Sequence, residues 1–329
     1  MSNFSYLIEQ APLEASTARE LLYNLTQQHY NEAQMAAILT VFLMRGTSIQ
    51  ELRGFREAML DLCIPLNTDL DIIDVCGTGG DGKDTFNIST LAAFVVASAG
   101  QPVAKHGNYG VSSVCGSSNV MQALGVTLNH DVQLLQQQLN ETGICFLHAP
   151  LFHPAMKHVA PVRKALEVKT FFNMLGPMVN PAKPQKQLMG VFNLDLARKI
   201  AYLYQEEEKK FAIVHSLDGY DEISLTGTFK VYTHLGDFLL EPEDLGLPRL
   251  QPEDLYGGAT VEEAAVIFYN VLKGNGTDAQ RAVVIANAAL GLFCAEQSDT
   301  LLGAVELAAK CLDNGKALKT FEAFKLEKI

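Results

Sequence analysis

The pattern of apolar and polar positions changes character once along the chain. Over the first seventy or so residues, apolar positions recur at helical spacing. Leu21, Leu22 and Leu25 follow a start at Ser16 or Thr17, and Leu52, Phe55, Met59 and Leu62 share one face of a period that Pro65 ends. Asn31 with Gln34, and Ser48 with Glu51, have the spacing of capping boxes, and Gly46 stops the apolar run 36–44. From Asp71 onward, short β-branched runs alternate with helical periods. The runs predict strands at 72–75, 103–105, 144–147, 187–192 and 211–215, with helices between them at 91–98, 119–124, 132–140, 154–166 and 195–208. Turn chemistry at 226–228 and 235–237 predicts that 232–240 returns antiparallel onto 222–225 or 230–231. The stretches 261–273, 279–294 and 301–313 read as helix again. The expected class is α/β, with a helical domain at 1–70, joined by a segment near 154–178, and an α/β domain at 71–329. Its sheet is expected to be mainly parallel, with ligands at the carboxyl ends of the strands.

One of those ends carries the most chemistry. The strand 72–75 runs into Gly77-Thr-Gly-Gly-Asp81, and the next helix is apolar on every side and closed by Gly100. A strand, a glycine loop and a helix N-terminus together hold phosphate, because glycines let backbone N–H groups approach an anion and the helix dipole adds positive potential. Gly77, Gly79 and Gly82 also satisfy G-x-G-x-x-G, a weak signal for a dinucleotide site. Asp81, Lys83 and Asp84 intervene before the helix, however, and the next strand ends in Lys105-His106 instead of an acid. A basic strand end suits phosphate and a loop carboxylate suits a metal ion, so phosphate with Mg²⁺ accounts for both departures.

Bulk properties narrow the classes. The 329 residues are 48% hydrophobic and 19% charged, as in an ordered globular protein long enough for one large or two moderate domains. Twenty-five basic and 37 acidic side chains give a net charge of −12, which disfavours nucleic acid or an anionic membrane as partner. The six cysteines are scattered without a C-x-x-C pair, as free thiols in a reducing cytosol would be. Met1–Gln10 lacks a basic segment followed by an apolar core, and no apolar run approaches membrane-spanning length; a cytoplasmic protein is expected. His148, His153 and His158 recur every five residues, which does not present one helix face, so no zinc site is expected.

Read singly, several residues have ordinary explanations. Ser89 and Ser118 suit helix caps, Asp221 and Glu222 suit solvated acids, Arg163 a surface cation and His106 a structural histidine. Taken in order, the motifs say more. Gly77-Thr-Gly-Gly-Asp81, Asn87-Ile-Ser-Thr90, Lys105-His-Gly-Asn108, Gly116-Ser-Ser118, the stretch 153–163, Thr170-Phe-Phe-Asn-Met-Leu-Gly-Pro177 and Asp218-Gly-Tyr-Asp-Glu222 resemble the successive signatures of the anthranilate phosphoribosyltransferases. The resemblance covers almost the whole chain. It implies a fold of the nucleoside phosphorylase and phosphoribosyltransferase type, transfer of a phosphoribosyl group from phosphoribosyl pyrophosphate (PRPP) to the anthranilate amine, and a place in tryptophan biosynthesis.

The resemblance also implies roles. Gly77, Thr78, Gly79, Gly80, Asp81, Thr85, Asn87, Ser89, Thr90, Lys105, Gly107 and Ser117 would hold PRPP. Anthranilate would meet Gly77, His106, Asn108, Arg163 and Pro177, with Arg163 on its carboxylate and Pro177 against its ring. Two Mg²⁺ ions would be held by Ser89, Asp221 and Glu222, and the enzyme would be a homodimer. The chain departs from the family's usual pattern at four places. Tyr109 and Lys169 stand where arginine is usual, and Glu167 and Ser216 where glycine is. The alternatives are a pyrimidine nucleoside phosphorylase, which the acid pair at 221–222 disfavours, and a non-enzymatic relative that binds nucleic acid, which the negative charge disfavours.

Overall fold

The computed structural model describes residues 12–110 and 114–326. Met1–Gln10, read above for a leader, and Val111-Ser-Ser113, which follow the Lys105–Asn108 signature, lie outside the described residues. The chain divides into two compact units, one of residues 1–65 and 149–181, the other of residues 66–148 and 182–329.

The first unit is helical. Both capping boxes form: Asn31 and Gln34 open the helix Glu32–Arg45, and Ser48 and Glu51 open Ile49–Leu62. Each box satisfies two N–H groups that a helix start would otherwise leave unpaired. Glu51 is buried as well, taking Arg45 at 2.5 Å and the Leu13 N–H at 2.8 Å, so its charge is compensated inside the unit. The 149–181 segment is tied to these helices through hydrogen bonds from Ile64 N to the Phe152 carbonyl and from Arg56 Nε to the Met178 carbonyl. Phe171 stacks on Phe55 with ring centroids 4.3 Å apart and meets Phe42 edge-on, which gives the unit an aromatic core. The helix predicted over 154–166 is instead a 3₁₀ turn, Pro154–His158, followed by the helix Ala160–Leu166. Pro161 has no N–H to continue one helix through that point.

The second unit is built on a seven-stranded sheet ordered β3-β2-β1-β4-β5-β6-β7. The strands are β1 Ile73–Gly77, β2 Val103–Gly107, β3 Ile144–His148, β4 Lys186–Gly190, β5 Lys210–Ser216, β6 Phe229–Thr233 and β7 Gly236–Leu240. The first five are mutually parallel; β6 and β7 run antiparallel. Of the two antiparallel partners expected for 232–240, the structure takes the segment around 230–231. The chain reverses inside the 232–240 run, so that β7 pairs with β6, while 222–225 forms no strand and Leu225 takes φ 59°. The helix Ile88–Ser98 starts three residues before the predicted start and is buried along almost its entire length. Phe94 of that helix meets Phe321 and Phe324 edge-on at 5.2 and 5.3 Å, so even the face turned from the sheet is core. Among the described residues no helix is long and apolar enough to cross a membrane.

Candidate functional site

The parallel strands bring their carboxyl ends to one edge, and the signature residues of the second unit gather there. β1 ends at Gly77, whose neighbour in register on β4 is Gly190. Neither position has room for a side chain. A Cβ at Gly190 would stand 1.5 Å from the Asp221 carbonyl oxygen, and one at Gly77 would stand 2.8 Å from Asp221 Oδ2. This glycine pair lets the segment after β5 lie across the ends of β1 and β4. The loop then turns through Gly79, Gly80 and Gly82, all at positive φ (62°, 80° and 73°). Thr85 bridges to Tyr256, and Phe86 N donates to the Leu255 carbonyl, which anchors the loop's far end.

Asn87 stands at the N-cap of the helix Ile88–Ser98, with Ser89 and the buried Thr90 in its first turn. Ser89 is therefore not the cap, and its hydroxyl lies close enough to Glu222 to lower that carboxyl's pKa. The Asn87 amide donates to the Cys115 carbonyl at 3.0 Å, while its Oδ1 is buried without a hydrogen-bond partner, the condition of a polar atom that awaits a ligand or water.

Asp221 and Glu222 bring the negative charge. Asp221 Oδ2 accepts the Gly79 N–H at 2.6 Å, and Asp81 Oδ2 accepts the Asp221 N–H at 3.4 Å. Burial, followed by the nearby Asp81 charge, pushes the Asp221 carboxyl up to about 7. Burial and Asp221 push Glu222 well above the usual carboxylate range, against the opposing pull of Lys105 and Ser89. Lys105 is itself only 2% exposed. Its ammonium donates to the Val75 carbonyl at 2.6 Å, inside the sheet and within reach of Asp74 and Glu222, and burial lowers its pKa. Acids crowded until their protons are hard to remove form a site that gains from a cation. Among the described residues no group of three or more His, Cys, Asp or Glu is arranged to hold a metal ion. Mg²⁺ takes one or two carboxylates and fills its shell with water and substrate phosphate, and Asp221, Glu222 and Ser89 are oxygen donors at this end of the sheet.

β2 delivers the next group. The His106 N–H donates to Asp74 Oδ1 at 3.2 Å, and Gly107 leaves space for the Ser117 hydroxyl, which a Cβ there would approach to 2.5 Å. Ser117 Oγ donates to the Asn108 carbonyl and accepts the Asn108 N–H, closing the turn onto the helix Ser117–Ala123. Ser118 is also inside that helix and not at its cap; its hydroxyl pairs with His148 Nδ1 at 2.8 Å. Tyr109 sets its ring edge-on to His148, at 4.7 Å between centroids.

Arg163 and Pro177 belong to the helical unit. Arg163 lies over the Phe172 ring at 5.1 Å and reaches Asn173 Oδ1 at 3.4 Å, and among the described residues no carboxylate pairs with it. Burial lowers its pKa, so an anion would relieve an uncompensated charge. Sequence reasoning passed over Gly190, Asp74 and Asn287. A glycine closing an apolar strand and a lone asparagine in the apolar run 282–294 were the signals for two of them.

Comparison with known proteins agrees over nearly the full length. Residues 69–318 match the model of a glycosyl transferase family a/b domain, and residues 5–63 match that of a glycosyl transferase family helical bundle domain. The chain is 54% identical over 317 residues to the anthranilate phosphoribosyltransferase of Flavobacterium psychrophilum, covering 96% of each. Its structure is similar to the crystal structure of anthranilate phosphoribosyltransferase from Thermus thermophilus, with a TM-score of 0.93 and 35% identity over 99% of this chain and 98% of that one. It is also similar to the Saccharomyces cerevisiae anthranilate phosphoribosyltransferase in complex with PRPP and Mg, with a TM-score of 0.87 and 25% identity over 95% and 92% of the two chains.

Proposed function

This chain belongs to the anthranilate phosphoribosyltransferases, and we propose that it performs their reaction with the loop, lysine and acid pair assembled at the carboxyl edge of its sheet. It is a glycosyltransferase that moves the 5-phosphoribosyl group of PRPP to the amine of anthranilate and releases pyrophosphate. The relatives carry this reading and not the phosphorylase or nucleic-acid-binding alternatives.

The observation that supports the site assignment is the acid pair, a buried Asp221 and a half-buried Glu222, set against a loop of left-handed glycines. The amides of 77–81 and the N-terminus of the helix Ile88–Ser98 receive the phosphates of PRPP, with Thr85, Asn87 and Thr90 around them. Gly107 and Ser117 form the adjoining phosphate contact at the end of β2. Asp221, Glu222 and Ser89 hold Mg²⁺, two ions per site, which neutralise the charge that grows on the departing pyrophosphate. Lys105 pulls the Glu222 pKa down against burial and Asp221, which raise it, and so offsets part of the negative charge where substrate phosphates add more. Arg163 binds the anthranilate carboxylate through two parallel hydrogen bonds, and Pro177, Gly77, His106 and Asn108 line the acceptor's surroundings.

The reaction needs no protein nucleophile. The C1–O bond to pyrophosphate breaks as the C1–N bond forms, and the amine sheds its proton once nitrogen is bonded to carbon. Catalysis then consists of holding a neutral amine near C1 and stabilising charge on the leaving group. A cytoplasmic homodimer is the proposed form, and a monomer by light scattering overturns it.

The test follows the loss of anthranilate fluorescence with saturating PRPP and Mg²⁺. Turnover is expected in the wild type, and it should vanish with EDTA and fall at least a hundredfold in kcat/KM in Arg163→Ala. PRPP binding without consumption of anthranilate would mean a different acceptor. Turnover unaffected by Arg163→Ala would remove that residue from the acceptor site.

A further inference from the structure

The peptide unit that follows Glu222 is held from both ends. Its carbonyl accepts the Ser216 hydroxyl at 2.6 Å, and its N–H, belonging to Ile223, donates to Asn287 Oδ1 at 3.0 Å. Ser216 is the last residue of β5, and Asn287 comes from the middle of the helix Asp278–Cys294; both are fully or almost fully buried. The Ser216 hydroxyl also accepts the Ser224 N–H at 3.3 Å and the Ser224 hydroxyl at 3.2 Å. Its one donor and both acceptor positions are thus in use. The Asn287 amide nitrogen donates to the Ile223 carbonyl and to the Val283 carbonyl, each at 2.9 Å. Neither strand nor helix is present from 217 to 228, so these two side chains supply the bonds that a ladder would give this buried backbone.

A peptide fixed at its oxygen and its nitrogen fixes ψ of Glu222 and φ of Ile223, and so the direction in which the Glu222 side chain leaves the backbone. On the other side of Glu222, the Asp221 carbonyl lies in the space left by Gly190. We infer that Ser216 and Asn287 are positioning residues for the cation-binding acids, clamping the peptide after Glu222 so that both carboxylates face the glycine loop. Neither touches the reacting atoms. The inference rests on the transferase reading and adds to it two residues on separate elements, one of them at a position where glycine is usual in the family.

The test uses the full chain as wild type, Ser216→Ala and Asn287→Ala. Binding of PRPP is measured by calorimetry at a series of Mg²⁺ concentrations without anthranilate, alongside thermal melts. Partners of metal-binding residues typically shift metal affinity 10- to 100-fold when removed. The Mg²⁺ concentration giving half-maximal PRPP binding is therefore expected to rise about tenfold or more in each variant, with the anthranilate KM unchanged. A merely structural role would lower the melting midpoint and leave the Mg²⁺ midpoint in place, and that result in a folded variant overturns the inference. Should Asn287→Ala fail to fold, Ser216→Ala, which removes a single hydroxyl, decides alone. PRPP binding by the wild type that is indifferent to Mg²⁺ would overturn the metal reading and this inference with it. Dependence in the wild type with unchanged variants overturns the clamp only.

Discussion

Glu167 closes the helix Ala160–Leu166 at φ 51° and ψ 23°, the left-handed conformation. A Cβ in that region costs roughly 1–2 kcal/mol, which is why the glycine usual in the family suits the position. Glu167→Gly should accordingly stabilise the chain by about 1 kcal/mol in urea unfolding, the gain being reduced by the greater freedom of glycine in the unfolded state. A loss of stability would mean that the Glu167 side chain contributes more than its backbone costs. The other departures have different consequences. Tyr109 brings no charge to the site and instead packs against His148, which Ser118 holds. Ser216 adds a hydroxyl where glycine has none, and that hydroxyl fastens the Glu222 peptide.

At the scale of elements, the glycine loop depends on two different uses of glycine. Gly79 needs its backbone angle, φ 62°, and a Cβ there would meet nothing within 4 Å. Gly190 needs its volume, since a Cβ would overlap the Asp221 carbonyl. Gly79→Ala should therefore cost about 1 kcal/mol of stability by melting. Gly190→Ala should displace the Asp221 segment and weaken Mg²⁺-dependent PRPP binding about tenfold or more. Equal effects of the two substitutions on binding would refute the distinction. The loop itself was legible in the sequence because its chemistry is local: a strand, glycines at short spacing and a helix start. The five parallel strands were legible for the same reason, as apolar runs bounded by turns. The hairpin was legible in part: turn chemistry at 235–237 marked a return onto 230–231, but left 222–225 open as the partner and did not place the reversal inside the 232–240 run. Asn287 and Gly190 act on Asp221 and Glu222 from distant parts of the chain, so nothing near either residue announces its partner. The roles proposed for Arg163 and Asp221 rest on the order of motifs, since one arginine and two adjacent acids carry little information in a chain with 37 acids.

For the whole molecule, pH acts through groups buried in the wrong charge state for water. His153, in the helical unit, is 5% exposed, and burial lowers its pKa from 6.5 to about 4, against a smaller opposing hydrogen bond with the Val179 backbone. The neutral ring is the form the fold accepts. Above pH 6.5 the imidazole is neutral in both folded and unfolded chains, and its contribution to stability is fully present. As pH falls below 6.5 the unfolded chain binds a proton that the folded chain refuses, so stability drops until the folded histidine also titrates near pH 4. The complete loss from this one group is on the order of 3 kcal/mol. Urea unfolding at intervals from about pH 7.5 to about 4 should show it as a slope that is shallower in His153→Gln, because glutamine retains a donor but takes up no proton. Acids protonating in the same range alter both curves alike, so the difference between them isolates His153. Identical slopes would mean that the folded chain protonates His153 as readily as the unfolded one, with the ring reaching water or a compensating acid.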